Sequence, residues 1–174
     1  MAIADDEFRR LIEGHQRMVF SVALRVLGDY ATAEEVAQDV FLELYRSGEG
    51  LASEDHVRYW LRRVATHRAI DALRRRAVRP EAAAEEWTEL QYAGGDASSS
   101  TVGLEARLDT LLQTLPEPMR VAVVLRYQED LLPDEIAKVL GQSVASVKSQ
   151  LHQGLTLLRR KAAVTMKEYV RESA

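Results

Sequence analysis

There is no cysteine in this chain, which rules out disulfides and thiolate metal sites and fits a reducing, cytoplasmic setting. Proline is scarce, four residues in 174, so long helices can run without interruption. No apolar run approaches the roughly 20 residues of a membrane span. The start, MAIADDEF, is acidic and unlike a signal peptide. A cytoplasmic protein without membrane insertion is expected. The parts of an enzyme are missing too. Four histidines (His15, His56, His67, His152) show no close metal-ligand spacing, no Gly-rich phosphate loop exists, and no serine sits in a nucleophile context. Carboxylate pairs such as Asp5–Asp6 and Glu34–Glu35 are too common to signal catalysis. The reading is therefore a protein that is not an enzyme, with no catalytic residue, no metal and no cofactor.

What is present is helix-forming. The chain is 47% apolar and 29% charged, rich in Ala, Leu, Glu and Arg, which predicts an all-α protein of one domain or two small ones. A net charge of −4 hides strong blocks. Asp29 to Asp55 carries eight acids and one Arg, Arg58 to Arg79 carries eight Arg and one Asp, and Glu81 to Asp96 carries five acids and no base. Any one block reads equally well as a solvated face. Three alternating blocks point to several different partners.

Three or four helices are expected in the first half. Phe8 to Leu27 has apolar residues at Phe8, Leu11, Ile12, Val19, Val22, Ala23 and Val26, then stops at Gly28-Asp29. Thr32 with Glu35 has the spacing of a capping box. The ladder Ala33, Val36, Ala37, Val40, Phe41, Leu44 behind it is that of a core-facing helix. Ser47–Asp55 reads as a loop, and a third helix runs from about His56 to Arg76. Residues 80–103 lack a sustained apolar period, are acidic and end in Gly and Ser, which predicts a flexible linker. Trp87, Leu90 and Tyr92 leave room for part of it to dock. The domains are then 1–79 and 104–174, the second beginning with Leu104 to Leu115, a Pro116/Pro118 break and Met119 to Tyr127.

The last third carries the sharpest signal. Residues 133–152, PDEIAKVLGQSVASVKSQLH, give a short amphipathic helix, a tight turn at Gly141 and a longer helix continuing to Ala163. This is helix-turn-helix spacing, whose second helix fits the DNA major groove. At about 100° per residue, Val144, Val147, Leu151, Leu155, Leu158 and Ala162 form a buried stripe. Ala145, Ser149, His152, Gln153, Thr156 and Arg160 point away from it, flanked by Lys148 and Arg159. Small polar donors suit base edges, and Lys and Arg suit phosphates. From Lys138 to Arg171 there are seven Lys/Arg against one acid, which favours DNA over a hairpin packed on protein.

Two earlier helices have second faces as well. Val57, Leu61, Val64, Ala65 and Ala72 would bury one side of the third helix. Trp60, Arg63, His67, Asp71 and Arg74 share the other, with Arg62, Arg75, Arg76 and Arg79 nearby. Rings that stack on bases beside arginines that follow a backbone suit melted DNA; a partly buried Trp on a soluble helix is the plainer reading. Glu34, Glu35, Gln38, Asp39 and Glu43 lie opposite the core stripe of the second helix. They are either a solvated face or a docking surface for a basic partner.

With these segments in order, the chain resembles a bacterial RNA polymerase sigma factor of the extracytoplasmic-function (ECF) group along nearly its whole length. LGDYATAEEVAQDVFLELYR resembles the group's polymerase-binding segment, and WLRRVATHRAIDALRRR its segment for opening and reading the −10 promoter element. LPEPMRVAVVLRYQEDLLPDEIAKVLGQSVASVKSQLHQGLTLLRR resembles its fourth domain, which binds the −35 element. The resemblance implies two helical domains, sigma domain 2-like and sigma domain 4-like, joined by the acidic linker. It implies core polymerase contacts at Glu35, Gln38, Asp39, Phe41 and Leu42. It places −10 contacts at Trp60, Arg62, Arg63, His67, Arg74 and Arg75. For the −35 element it implies Lys148, Ser149, His152, Gln153, Arg159 and Arg160. The partners implied are core RNA polymerase, promoter DNA and an anti-sigma factor. The competing reading is a homodimeric helix-turn-helix repressor or activator that acts without polymerase. The chain departs from the family where Gln150, Gln153 and Leu155 replace arginines, where His67 stands for a frequent Asn, and where Leu132 replaces a capping Ser.

Overall fold

Seven α-helices and no strand make up the residues that the computed structural model describes, 3–47, 51, 53–78 and 99–172. The chain divides into two compact units, Met1–Glu86 and Trp87–Ala174. The all-α expectation holds.

In the first unit α1 (Asp5–Leu27), α2 (Tyr30–Ser47) and α3 (Glu54–Val78) each pack against the other two. α1 starts three residues before Phe8. Asp5, Asp6 and Glu7 fill its first turn, where carboxylates meet the positive end of the helix dipole. It ends at Gly28, whose φ of 69° is the left-handed conformation that glycine adopts at no steric cost. Val19, Val22 and Val26 from α1, Val40 and Leu44 from α2, and Leu61, Ala65 and Ala69 from α3 are fully buried. A buried Leu contributes about 1.5–3 kcal/mol. Phe8 stacks edge-on against Tyr45, with centroids 4.9 Å apart, and closes one end of the bundle.

The second helix is capped differently from the Thr32–Glu35 box that its sequence suggests. Asp29 is the cap: its Oδ2 accepts the Thr32 N–H at 2.9 Å and the Thr32 hydroxyl, and its carbonyl accepts the Ala33 N–H at 3.0 Å. Asp29 thus satisfies the orphan Thr32 N–H, and Thr32 gives its hydroxyl hydrogen to Asp29. Burial pushes the Asp29 carboxyl up, but the hydrogen bonds from Thr32 and the Arg76 charge outweigh it and hold the group below its ordinary range. A depressed carboxylate adds stability that is present above the unfolded value, about 3.9, and lost as pH falls through the folded one. Asp29→Ala is expected to cost about 1 kcal/mol at neutral pH. In urea melts, the difference from wild type should shrink below about pH 4.

The expected linker falls largely outside the described residues. Its last positions differ from expectation, because α4 begins at Ser99 (Ser99–Gln113) rather than at Leu104. The described part of the Ser47–Asp55 loop is shorter as well, since Glu54 and Asp55 open α3. In the second unit α5 (Glu117–Tyr127), α6 (Pro133–Leu140) and α4 all pack on α7 (Val144–Glu172). α7 runs past Ala163 to Glu172, since helix-forming residues continue after the apolar stripe ends. Fully buried Leu115, Val121, Leu125, Ile136, Val139 and Val147 make the core.

One buried polar group organises this unit. Arg120, 9% exposed, donates from Nε to Leu112 O (3.1 Å) and from Nη2 to Gln113 O (3.2 Å) and Leu115 O (2.9 Å). It thereby gathers carbonyls at and just beyond the end of α4, one of which, Leu112 O, also accepts the Leu115 N–H at 3.1 Å. Burial lowers its pKa and Glu117 opposes the shift.

Candidate nucleic-acid interface

The turn between α6 and α7 is fixed from both sides. Gly141 takes φ 64° with open space around a would-be Cβ, so its role is conformational. The Gln142 N–H closes the turn on Ala137 O at 3.0 Å, a Schellman bond. Ser143 then caps α7, its Oγ accepting the Ser146 N–H at 3.1 Å. At the other end of α6, Leu132 has no side-chain acceptor. Even so, Glu135 Oε2 accepts the Leu132 N–H at 2.7 Å, half of a capping box. Replacing the usual Ser therefore removes only the other half.

α7 presents the row its sequence predicts. Lys148, Ser149, His152, Gln153, Thr156, Arg159 and Arg160 are all exposed, while Val147 and Leu151 are buried. Val144, Leu155, Leu158 and Ala162 are half-buried, so the stripe thins away from the turn. Gln153 Nε2 donates to Ser149 Oγ at 3.3 Å, joining two members of the outward row. Gln150 does not belong to that row. It is half-buried, and its Oε1 is enclosed without a partner among the described residues. Gly154 is buried where α7 crosses α5: a Cβ there would stand 3.1 Å from Val123 Cγ2 and 3.3 Å from Met119 Cβ.

In the first unit Arg63, His67, Arg74 and Arg75 are exposed, and Trp60 and Arg62 are half-buried on the same helix. Val57, Leu61 and Ala65 are buried, as the pattern predicts, together with Thr66, Ala69 and Ile70, while Val64 is only half-buried. On α2, Glu34, Glu35, Gln38 and Asp39 are exposed beside Leu42, which is 49% exposed. Phe41 does not join them. At 8% exposure it belongs to the core, a correction to its place among the expected contact residues. The α2 ladder had already put it on the inner face.

One contact between helices and the burial of one histidine escaped the sequence. Arg68 joins α3 to α2, with Nε donating to Glu43 Oε2 at 3.0 Å, Nη2 donating to the same oxygen, and Nη1 lying 3.5 Å from Asp39 Oδ2. Sequence places Arg68 among seven other arginines of its block and gives no sign that its partner lies on another helix. His15 is 6% exposed in α1. Its pKa is lowered by burial first, then by Arg58 and Arg62, with Glu54 opposing. Among the described residues no group of three or more His, Cys, Asp or Glu is placed to hold a metal, and no helix is long and apolar enough to cross a membrane.

Known proteins share this arrangement. A family model for Sigma-70 region 2 matches residues 11–79, and one for Sigma-70 region 4 matches residues 105–158. The RNA polymerase sigma-E factor of Streptomyces avermitilis is 30% identical over 153 residues, covering 88% of this chain and 83% of that protein. The chain belongs to the ECF group of RNA polymerase sigma factors. The ECF sigma factor SigW of Bacillus subtilis is 26% identical over 165 residues, 89% of this chain and 88% of that one. The fold is also that of the sigma factor RpoE of Bartonella quintana, crystallised with the anti-sigma factor NepR. That match has a TM-score of 0.69 and 15% identity, over 91% of this chain and 98% of that one. This sigma factor is thus a transcription initiation factor that works with core RNA polymerase at promoters. A homodimeric repressor is not favoured, because such a protein has no use for a region 2 unit.

Proposed function

We propose that this sigma factor docks on core polymerase through the exposed side of α2, opens and reads the −10 element with α3, and reads the −35 element with α7. The single observation that carries this reading is three outward faces of different chemistry in one chain. One is acidic with an exposed Leu (Glu35, Gln38, Asp39, Leu42), one is aromatic and basic (Trp60, Arg62, Arg63, His67, Arg74, Arg75), and one is small, polar and basic (Lys148, Ser149, His152, Gln153, Arg159, Arg160). Acid suits a basic protein partner. Rings and arginines suit an unstacked strand. A polar helix face capped by a tight turn suits the major groove.

Residues 1–79 act as the polymerase-binding and −10 domain, 104–174 as the −35 domain, and the acidic stretch 80–103 joins them. Each domain alone offers a small contact area, so DNA affinity without polymerase is poor. Mounting both on one enzyme raises their effective concentration on a promoter. The protein works in the cytoplasm, has no catalysis of its own, and is held inactive by an anti-sigma factor that covers these faces.

Co-elution with core polymerase and run-off transcription from promoters found by start-site mapping test the proposal. Stable, sequence-specific duplex binding without polymerase would count against it. Lys148→Gln in the holoenzyme is expected to weaken binding evenly across promoter sequences and to reduce the slope of log K against log salt by about 0.9, one phosphate contact.

A further inference from the structure

One guanidinium in the first unit belongs to two surfaces at once. Arg68 is tied to Glu43 at 3.0 Å and lies 3.5 Å from Asp39, two carboxylates one turn apart on α2. The same side chain borders an open concavity on α3 with Asp71, Arg74 and Arg75. It is 37% exposed, so neither surface encloses it. We propose that Arg68 is a reserve DNA contact, held off the promoter strand by Glu43 and Asp39 and released when core polymerase takes those carboxylates. This rests on the proposed roles of α2 and α3 and adds a link between them.

The charges favour such an exchange. Two carboxylates share one guanidinium, so α2 keeps uncompensated negative charge that can recruit a basic polymerase surface. Arg68 and Glu43 are half-buried but open to solvent, and Asp39 is exposed. Screening keeps the contribution of such pairs modest, so a better placed cation can displace Arg68. While Arg68 is held, its charge is spent on α2, and Asp71 subtracts further from the concavity. Once released, it adds a third guanidinium to Arg74 and Arg75, in a fork suited to a phosphate. Polymerase binding then raises affinity for DNA, and by linkage DNA raises affinity for polymerase.

The test is an anisotropy titration of the purified full chain against fluorescein-labelled single-stranded DNA of mixed sequence, across a low-salt series, without polymerase. Glu43→Gln withdraws the main counter-charge from Arg68. It is expected to tighten binding about threefold and steepen the log–log salt slope by about 0.7, one added contact to a single strand. Glu34→Gln, exposed on the same helix, removes an equal charge and is expected to leave the slope where it was. Arg68→Gln should cost more affinity in the Glu43→Gln background than in the parent chain. Equal gains from Glu43→Gln and Glu34→Gln, a gain that survives in the Glu43→Gln/Arg68→Gln double variant, or no gain in a fully helical Glu43→Gln chain would each overturn the proposal. Asp39→Asn supplies the second variant if Glu43→Gln loses helicity. Because these titrations contain no polymerase, wild-type co-elution with the core enzyme judges the underlying reading separately.

Discussion

Asp39→Lys is expected to abolish core polymerase binding while leaving helicity unchanged. Asp39 has a side chain 59% exposed and no part in the α2 core, so its replacement leaves Val36, Val40 and Leu44 in place. The 3.5 Å contact with Arg68 is lost, but an exposed pair contributes under about 1 kcal/mol. The effect on docking is larger. Reversing a charge against a basic partner forfeits an attraction and installs a repulsion, together about 3 kcal/mol or a hundredfold in affinity. Far-UV circular dichroism and gel-filtration co-elution read the two halves of this expectation. A variant that still co-elutes at wild-type concentrations would remove α2 from the docking surface. Asp39→Asn, which loses only the attraction, should fall in between.

Arg120→Ala is expected to destabilise the 99–172 unit by about 3 kcal/mol. The substitution withdraws the guanidinium from the carbonyls of Leu112, Gln113 and Leu115, at the elbow where α4 gives way to α5, and leaves Leu112 O only the Leu115 N–H. Buried acceptors with no donor cost more than the hydrogen bonds themselves contribute. A small domain has only a few kcal/mol to lose. Arg120→Lys keeps the charge but not the planar fork, and should recover only part of the loss. Hydrogen exchange under urea separates the units: α5 amides should lose protection while α2 amides keep theirs. Equal protection in α5 would show that water or neighbouring donors replace the guanidinium.

Periodicity makes most of the helical frame legible in the sequence alone. The α2 ladder, the stop at Gly28, the Pro116/Pro118 break and the α6–turn–α7 unit all follow from spacing and turn chemistry. The outward row of α7 was legible for the same reason: a helix against a core has only one free side. Three things were not legible. The cap of α2 went to Asp29 because two hydroxyl- or carboxylate-bearing residues compete for one turn, and only geometry ranks them. Phe41 sits both on the apolar ladder and beside the acidic face, and only its burial assigns it to the ladder. Arg68 and Arg120 act through partners on other elements or through main-chain carbonyls, which a linear pattern does not encode.

Gly154 explains how the outer side of α7 can vary freely. α7 has 29 residues, about 44 Å of rod, and Lys161 Nζ ties it to Thr114 O at 3.1 Å. At Gly154 nothing but backbone separates it from Met119 and Val123. The depth and tilt of the rod are therefore set by main chain against neighbour, independent of what Lys148, Ser149, His152 or Gln153 happen to be. On the proposed reading of α7, descendants of this chain can exchange those four letters, and so acquire new promoters, without rebuilding the press that holds the type.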